Sequence, residues 1–188
     1  METSIQKKFP YFLLFICLVQ IIAIEYSRPL PHKSNHWIFN IYTPIECFFY
    51  SFLLLENIKI SLLRKVGLGL IVIYSIFSLY NMFFLQGFWF FNNYSYVVGA
   101  FTIVCLGLFF FIDNATSEDE QPVLKNPAFW FASGLIISQL GNFIIMGLFD
   151  YLLKNHLNYL LLSFTILKYL NTLMYLLFTA GFLCRRSE

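Results

Sequence analysis

Six apolar stretches, each about 20 residues long, divide this sequence into a regular series. Each stretch is long enough to cross the roughly 30 Å hydrocarbon core of a bilayer as an α-helix. Short polar segments separate one stretch from the next. The predicted spans cover residues 9–26, 37–56, 62–85, 92–112, 127–148 and 158–183.

Composition excludes the common soluble classes of protein. Of the 188 residues, 59% are hydrophobic and 12% are charged, whereas a soluble domain carries about 25% charged residues. A chain this short cannot bury so much apolar surface in water. The apolar content also excludes disorder, and a net charge of +2 argues against nucleic-acid binding. The sequence therefore predicts an all-α, polytopic membrane helix bundle, with one membrane domain over residues 1–188 and no soluble domain.

The distribution of basic residues predicts how the bundle is oriented. Because cytoplasmic loops carry an excess of lysine and arginine, the side with more basic residues is assigned to the cytoplasm. One side holds Lys7, Lys8, Lys59, Arg64, Lys65, Lys125, Arg185 and Arg186, and the other holds Arg28, Lys33 and Lys154. We therefore predict that both termini are cytoplasmic. No small-residue cleavage site follows the first apolar stretch, so we predict that this span is retained.

Two charged residues fall inside predicted spans, where charge is costly. Glu46 lies nine residues past Trp37 and Lys168 lies nine residues past Tyr159, so both are about 13 Å below the outer ends of their helices. Equal depth and opposite charge predict an ion pair between them, since pairing reduces the cost of both charges. The alternative is that Glu46 is an isolated, protonated carboxyl that is free to bind a ligand or a proton.

Side-chain amides lie at the level of these two charges or nearer the outer face, with Asn171 one turn deeper than Lys168, and the inner half of the bundle is mostly apolar. The amides are Gln20, Asn40, Asn81, Gln139, Asn142 and Asn171. This asymmetry predicts a polar pocket that opens outward and is closed below by apolar packing, because pockets between bundle helices are common ligand sites. The alternative interpretation is that the amides form interhelical hydrogen bonds that only stabilise the bundle.

All three histidines are predicted at the outer face of the membrane: His32, His36 and His156. The first two have i, i+4 spacing and, on one helix, could bind a metal ion or sense acidity. The alternative is that they are solvated at the interface. The four cysteines show no metal-ligand spacing, so no metal site or cofactor is predicted. Gly134 and Gly141 form a small-residue stripe that predicts close internal packing rather than a dimer face.

Three stretches resemble a known group of proteins. They are Lys125-Asn-Pro-Ala-Phe-Trp-Phe-Ala-Ser-Gly-Leu, Phe91-Asn-Asn-Tyr-Ser-Tyr-Val-Val-Gly-Ala, and Tyr42-Thr-Pro-Ile-Glu46. They are similar to uncharacterised small multispan membrane proteins of Bacteroidetes-type bacteria. Such segments look like membrane parts found with, or fused to, sensor histidine kinases. The resemblance implies a multi-pass protein of the bacterial inner membrane that works with a signalling partner such as a kinase.

The sequence leaves three functional hypotheses open. The first is a sensory or ligand-binding module that takes a small molecule or ion in the outward pocket and acts through a partner protein. The second is a small transporter or channel that uses the Glu46 and Lys168 pair. The third is an intramembrane hydrolase that activates water at zinc, but the spans lack the Asp and Ser partners of such sites. We therefore predict that the chain is not an enzyme.

Overall fold

The computed structural model describes residues 4–28, 34–116 and 123–184, and in these ranges the chain is helical with no strand. A π-helical turn, Asn81–Leu85, continues α3, and a short 3-10 turn, Val123–Lys125, precedes α5. The helices are α1 (Ser4–Ser27), α2 (His36–Leu55), α3 (Ser61–Tyr80), α4 (Asn93–Thr116), α5 (Pro127–Gly147), α6 (Phe149–Asn155) and α7 (Leu157–Cys184).

All six predicted spans are helices that are long and apolar enough to cross a membrane. These helices are α1, α2, α3 with its π-turn, α4, α5 and α7. The all-α, six-span prediction is therefore confirmed. The short helix α6 is not predicted by the sequence. It is only seven residues long, and its acidic first turn (Asp150) and basic last turn (Lys154) complement the helix dipole.

Short connections make consecutive spans antiparallel. We call the end of the bundle with residues 86–92 and α6 the hairpin end, and the opposite end the terminal end. Helix α4 is central and contacts α2, α3 and α5, while α5 also packs along α7. Helix α1 is peripheral: it lies against α2, and the ring of Phe9 contacts Phe178 on α7 at a centroid distance of 5.0 Å.

The terminal half of the bundle is an apolar core, as the sequence predicts. The aromatic rings of Phe9, Phe131 and Phe178 contact one another, and all three are buried. Leu106 and Leu135 are completely buried beside them. This half therefore leaves little space for a solute.

Asp113 is a buried charge that the sequence places in a polar loop, whereas the structure places it in α4. Its Oδ1 accepts hydrogen bonds from the backbone N–H groups of Lys59 (3.0 Å) and Ile60 (2.6 Å), which immediately precede α3. The N–H groups at a helix start lack intrahelical partners and favour an anion. Helix α4 therefore extends four residues beyond its predicted end and uses Asp113 to fix the start of α3.

Glycines allow α5 and α7 to approach closely. A Cβ atom added at Gly134 would lie 3.1 Å from the carbonyl oxygen of Met174, and one added at Gly181 would lie 3.1 Å from that of Pro127. A Cβ at Gly141 would meet the side chain of Leu170. The prediction that this stripe serves internal packing is confirmed.

Because Gly134 faces the backbone of α7, we expect Gly134→Ala to separate the two helices and to cost about 1–3 kcal/mol. Gly69→Ala is the matched control, because no atom lies within 4 Å of its added Cβ. Thermal unfolding in detergent should show a lower melting temperature for Gly134→Ala and an unchanged or slightly higher one for Gly69→Ala. Equal melting temperatures for the two variants would contradict this account of the α5–α7 contact.

Candidate functional site

A small cavity lies between α2, α4 and α5, from mid-bundle toward the hairpin end. Its volume is about 30 Å³. It is lined by Thr43, Glu46, Cys47, Tyr96, Gly99, Ala100, Ile103, Gln139 and Asn142. We call this space the Glu46 cavity. Three of the predicted pocket residues, Glu46, Gln139 and Asn142, therefore come together on it.

Tyrosine hydroxyls, rather than a basic group, surround the Glu46 carboxyl. Tyr42 and Tyr50 lie one turn before and one turn after Glu46 on α2, and their side chains interact with its carboxyl. Tyr96 on α4 and Tyr175 on α7 also interact with it electrostatically. Glu46 is partly buried, and it lines the cavity. The carboxyl is thus surrounded by groups that can donate hydrogen bonds but do not carry a positive charge.

Two buried hydroxyls near Glu46 have no partner at hydrogen-bond distance and geometry. The Thr43 hydroxyl faces that of Tyr96, and its Oγ1 makes no hydrogen bond although the residue is 6% exposed. The Tyr50 hydroxyl is also unpaired, and that residue is completely buried. A buried polar group without a partner costs about 1–3 kcal/mol. Thr43 lines the cavity, so its free hydroxyl is a candidate ligand group.

The predicted ion pair between Glu46 and Lys168 does not form. Lys168 is on the exposed side of α7, and within the described ranges the ion pair observed is Arg28 with Glu25 at 2.7 Å. Leu167 is on the buried side of α7, and successive side chains on a helix point about 100° apart. Lys168 is therefore exposed and is not directed at Glu46. Equal depth along two helices does not determine which side of each helix faces the bundle.

Two of the predicted amides, Asn40 and Asn81, are buried and stabilise the turn at the hairpin end. The Asn40 amide donates to the carbonyl oxygens of Phe88 (2.8 Å) and Phe90 (2.6 Å) and accepts from the Asn92 backbone N–H. Asn81 donates to Gln86 and Ser95. The chain reverses at Gly87, whose φ of 88° lies in the left-handed region. Both residues therefore fit the alternative interpretation, in which the amides form hydrogen bonds that stabilise the bundle.

The other two amides differ from each other. Asn171 on α7 is partly buried and accepts a hydrogen bond from Ser138 on α5 at 2.5 Å. Gln20 is exposed on α1, contrary to the prediction that it contributes to a polar pocket between the helices. The reason is the peripheral position of α1, which buries only a narrow stripe that includes Phe9, Ile16 and Ala23.

The histidines are not assembled into a site within the described ranges. His32 lies outside the described residues. His36 begins α2, and its ring contacts Phe91 at a centroid distance of 5.6 Å. His156 is exposed between α6 and α7. In the part of the chain that the structure describes, no three His, Cys, Asp or Glu residues form a group that could hold a metal ion.

Sequence reasoning missed the tyrosines around Glu46. Tyr42 and Tyr50 are at i−4 and i+4 from Glu46, so helical spacing places them on the same face of α2. That signal is present in the sequence. Tyr96 and Tyr175 come from other helices, and only the tertiary structure brings them to the carboxyl.

Comparison with known proteins identifies no family for this chain. No family model matches it, and neither the curated proteins nor the solved structures contain a significant match. Functional inference therefore rests on the geometry of the Glu46 cavity.

We expect Asn40→Ala to loosen the turn at residues 86–92, because it leaves two backbone carbonyls without their donor. Hydrogen–deuterium exchange should rise at least tenfold in residues 86–92 and stay unchanged in α5. Asn158→Ala is the control, since Asn158 is exposed on the first turn of α7. Equal exchange in the two variants would show that Asn40 does not hold the turn.

Proposed function

We propose that this protein is a sensory membrane module that binds a proton or a small monovalent cation at Glu46 and signals through a partner protein. The observation that supports this proposal is that Glu46 and the unpaired Thr43 hydroxyl line one cavity while no basic side chain in the described ranges pairs with the carboxyl. The proposal refines the predicted ligand-binding pocket by restricting its occupant.

The Glu46 carboxyl requires charge compensation. A carboxylate taken from water into a low-dielectric interior costs several kcal/mol unless it is neutralised. The surrounding tyrosines supply polar hydroxyls but no positive charge. Lys168 faces away from the site. The carboxyl therefore needs either a proton or a bound cation.

Size and charge restrict the occupant further. A space of about 30 Å³ exceeds the roughly 10–15 Å³ that one water molecule requires. It is far smaller than the roughly 300–1,000 Å³ of sites for organic ligands. A single carboxylate balances a single positive charge, and Thr43, Gln139 and Asn142 offer additional oxygen ligands. These features support a monovalent cation, a proton or water as the occupant rather than a metabolite.

We expect sodium chloride to raise the melting temperature of the purified protein relative to choline chloride at equal ionic strength, because a ligand that binds the folded state stabilises it. The effect should shrink as pH falls, since protons compete for the same carboxyl. Glu46→Gln should abolish it, and Thr43→Val should weaken the apparent affinity about tenfold, the equivalent of about 1.4 kcal/mol. Glu25→Gln, which changes an exposed carboxyl, is the control.

A proton as sole occupant gives a different result. The melting temperature then does not depend on sodium concentration, but an infrared carboxyl band titrates with pH and disappears in Glu46→Gln. The proposal fails if neither sodium nor pH distinguishes wild type from Glu46→Gln.

Transport is the second candidate function, favoured by the unpaired Tyr50 hydroxyl one turn from Glu46 toward the terminal end. Such a hydroxyl offers one further step for a proton. Proteoliposomes loaded with a pH-sensitive dye separate the two functions. A sensory module gives no proton flux above empty vesicles, whereas a flux that disappears in Glu46→Gln favours the transporter.

The cellular setting is part of the proposal. The excess of basic residues at the terminal end supports cytoplasmic termini, and the resemblance to small multispan bacterial proteins supports an inner membrane and a signalling partner such as a kinase.

A tag at residue 188 should be inaccessible to a membrane-impermeant reagent added to intact spheroplasts, and accessible after lysis. Labelling in intact spheroplasts would reverse the orientation.

A further inference from the structure

Two polar side chains within the predicted spans are exposed on two helices that contact each other, α7 and α1. Lys168 on α7 and Gln20 on α1 are both exposed. Neither side chain forms an ion pair or hydrogen bond within the part of the chain that the structure describes, although the backbone carbonyl of Lys168 accepts from the Thr172 hydroxyl. Lys168 is 11 residues, or about 16 Å, from the start of α7 and about 24 Å from its end. A charge at this depth is expensive when it faces lipid.

The two residues belong to one face. The ring of Phe9 on α1 contacts the rings of Phe178 and Phe182 on α7, at centroid distances of 5.0 Å and 5.5 Å. Farther along the same two helices, Cys17 and Tyr175 interact electrostatically. Lys168 is two turns from Tyr175, and Gln20 is one turn from Cys17, in both cases toward the hairpin end and on the same side of the helix. We define the α1–α7 polar face as the exposed residues Cys17, Gln20, Lys168, Thr172 and Tyr175.

We infer that the α1–α7 polar face docks a transmembrane helix of a partner protein that carries an aspartate or glutamate near the middle of its span. A carboxylate at that depth neutralises Lys168, and the partner's polar groups satisfy the Gln20 amide. The inference goes beyond the proposed function and does not depend on what occupies the Glu46 cavity.

Charge argues against a second copy of this chain as the occupant. A twofold-symmetric contact over α7 would bring two Lys168 side chains together. Within the described spans, the carboxylates cannot compensate them. Glu25 is paired with Arg28 at the hairpin end of α1, Glu46 faces the interior, and Asp113 is buried against the start of α3. The complementary carboxylate must come from another protein.

The threonines of α7 do not need hydrogen bonds from a partner protein. The hydroxyls of Thr165, Thr172 and Thr179 each donate to the backbone carbonyl four residues earlier, so they are satisfied in lipid. Lys168 and Gln20 have no such local solution. They therefore determine the chemistry of the expected partner.

The test uses the full-length protein in phosphatidylcholine liposomes and designed transmembrane peptides. The host peptide is a helix of about 21 leucine and alanine residues with Glu, Gln or Lys at its centre, and association is measured by energy transfer between fluorophores. We expect the Glu peptide to bind at least tenfold more tightly than the Gln or Lys peptide. Lys168→Met should remove the difference, and Lys168→Arg should keep it. Lys154→Met removes an exposed lysine on α6 and is the control.

Three results would overturn the inference. The first is equal binding of the Glu and Gln peptides to wild type. The second is loss of the Glu preference when anionic lipid is added, which would assign Lys168 to lipid headgroups. The third is self-association of the protein that depends on Lys168. Melting temperatures of the variants confirm that each one is folded, and the sodium response at Glu46 remains in Lys168→Met.

Discussion

Hydrocarbon supplies neither hydrogen bonds nor counter-ions, so the protein must provide partners for every polar group within its spans. Most polar side chains here meet that requirement locally. Asp113 accepts from the start of α3, Asn40 binds the turn at residues 86–92, and Ser138 donates to Asn171. Glu46 and Lys168 do not, because one faces tyrosines and a cavity and the other faces outward. The functional proposals concern these two charged residues.

The two halves of the bundle have different physical properties that suit different tasks. Close-packed aromatic side chains such as Phe131 and Phe178 make the terminal half a rigid base. The hairpin half contains the cavity and the hydrogen-bonded turn at residues 86–92. Three helices line the cavity, so a bound cation would draw α2, α4 and α5 together.

The sequence predicts which segments form the spans, but it does not predict which side of each helix faces the bundle interior. Length and apolarity determine the spans, and a single charged residue is easily located in depth. The buried side of α7 cannot be located in the same way, because the helix is apolar around most of its circumference and no periodic pattern marks its buried face. The sequence therefore places Lys168 in the correct span but on the wrong side of its helix. It assigns Asp113 to a loop because nothing local shows that the start of α3 lies beside it.

The cavity and the α1–α7 polar face are connected through adjacent residues. Gln139 lines the cavity, and its neighbour Ser138 donates to Asn171, which is one turn from Lys168 on α7. If a bound cation shifted α5, this hydrogen bond would transmit the shift to the helix that carries Lys168. If both sites are occupied as proposed, their coupling is reciprocal. The factor by which the bound cation changes the affinity for the acidic helix equals the factor by which the bound helix changes the affinity for the cation. On these two proposals together, ion binding at Glu46 would change the affinity for the partner helix at Lys168.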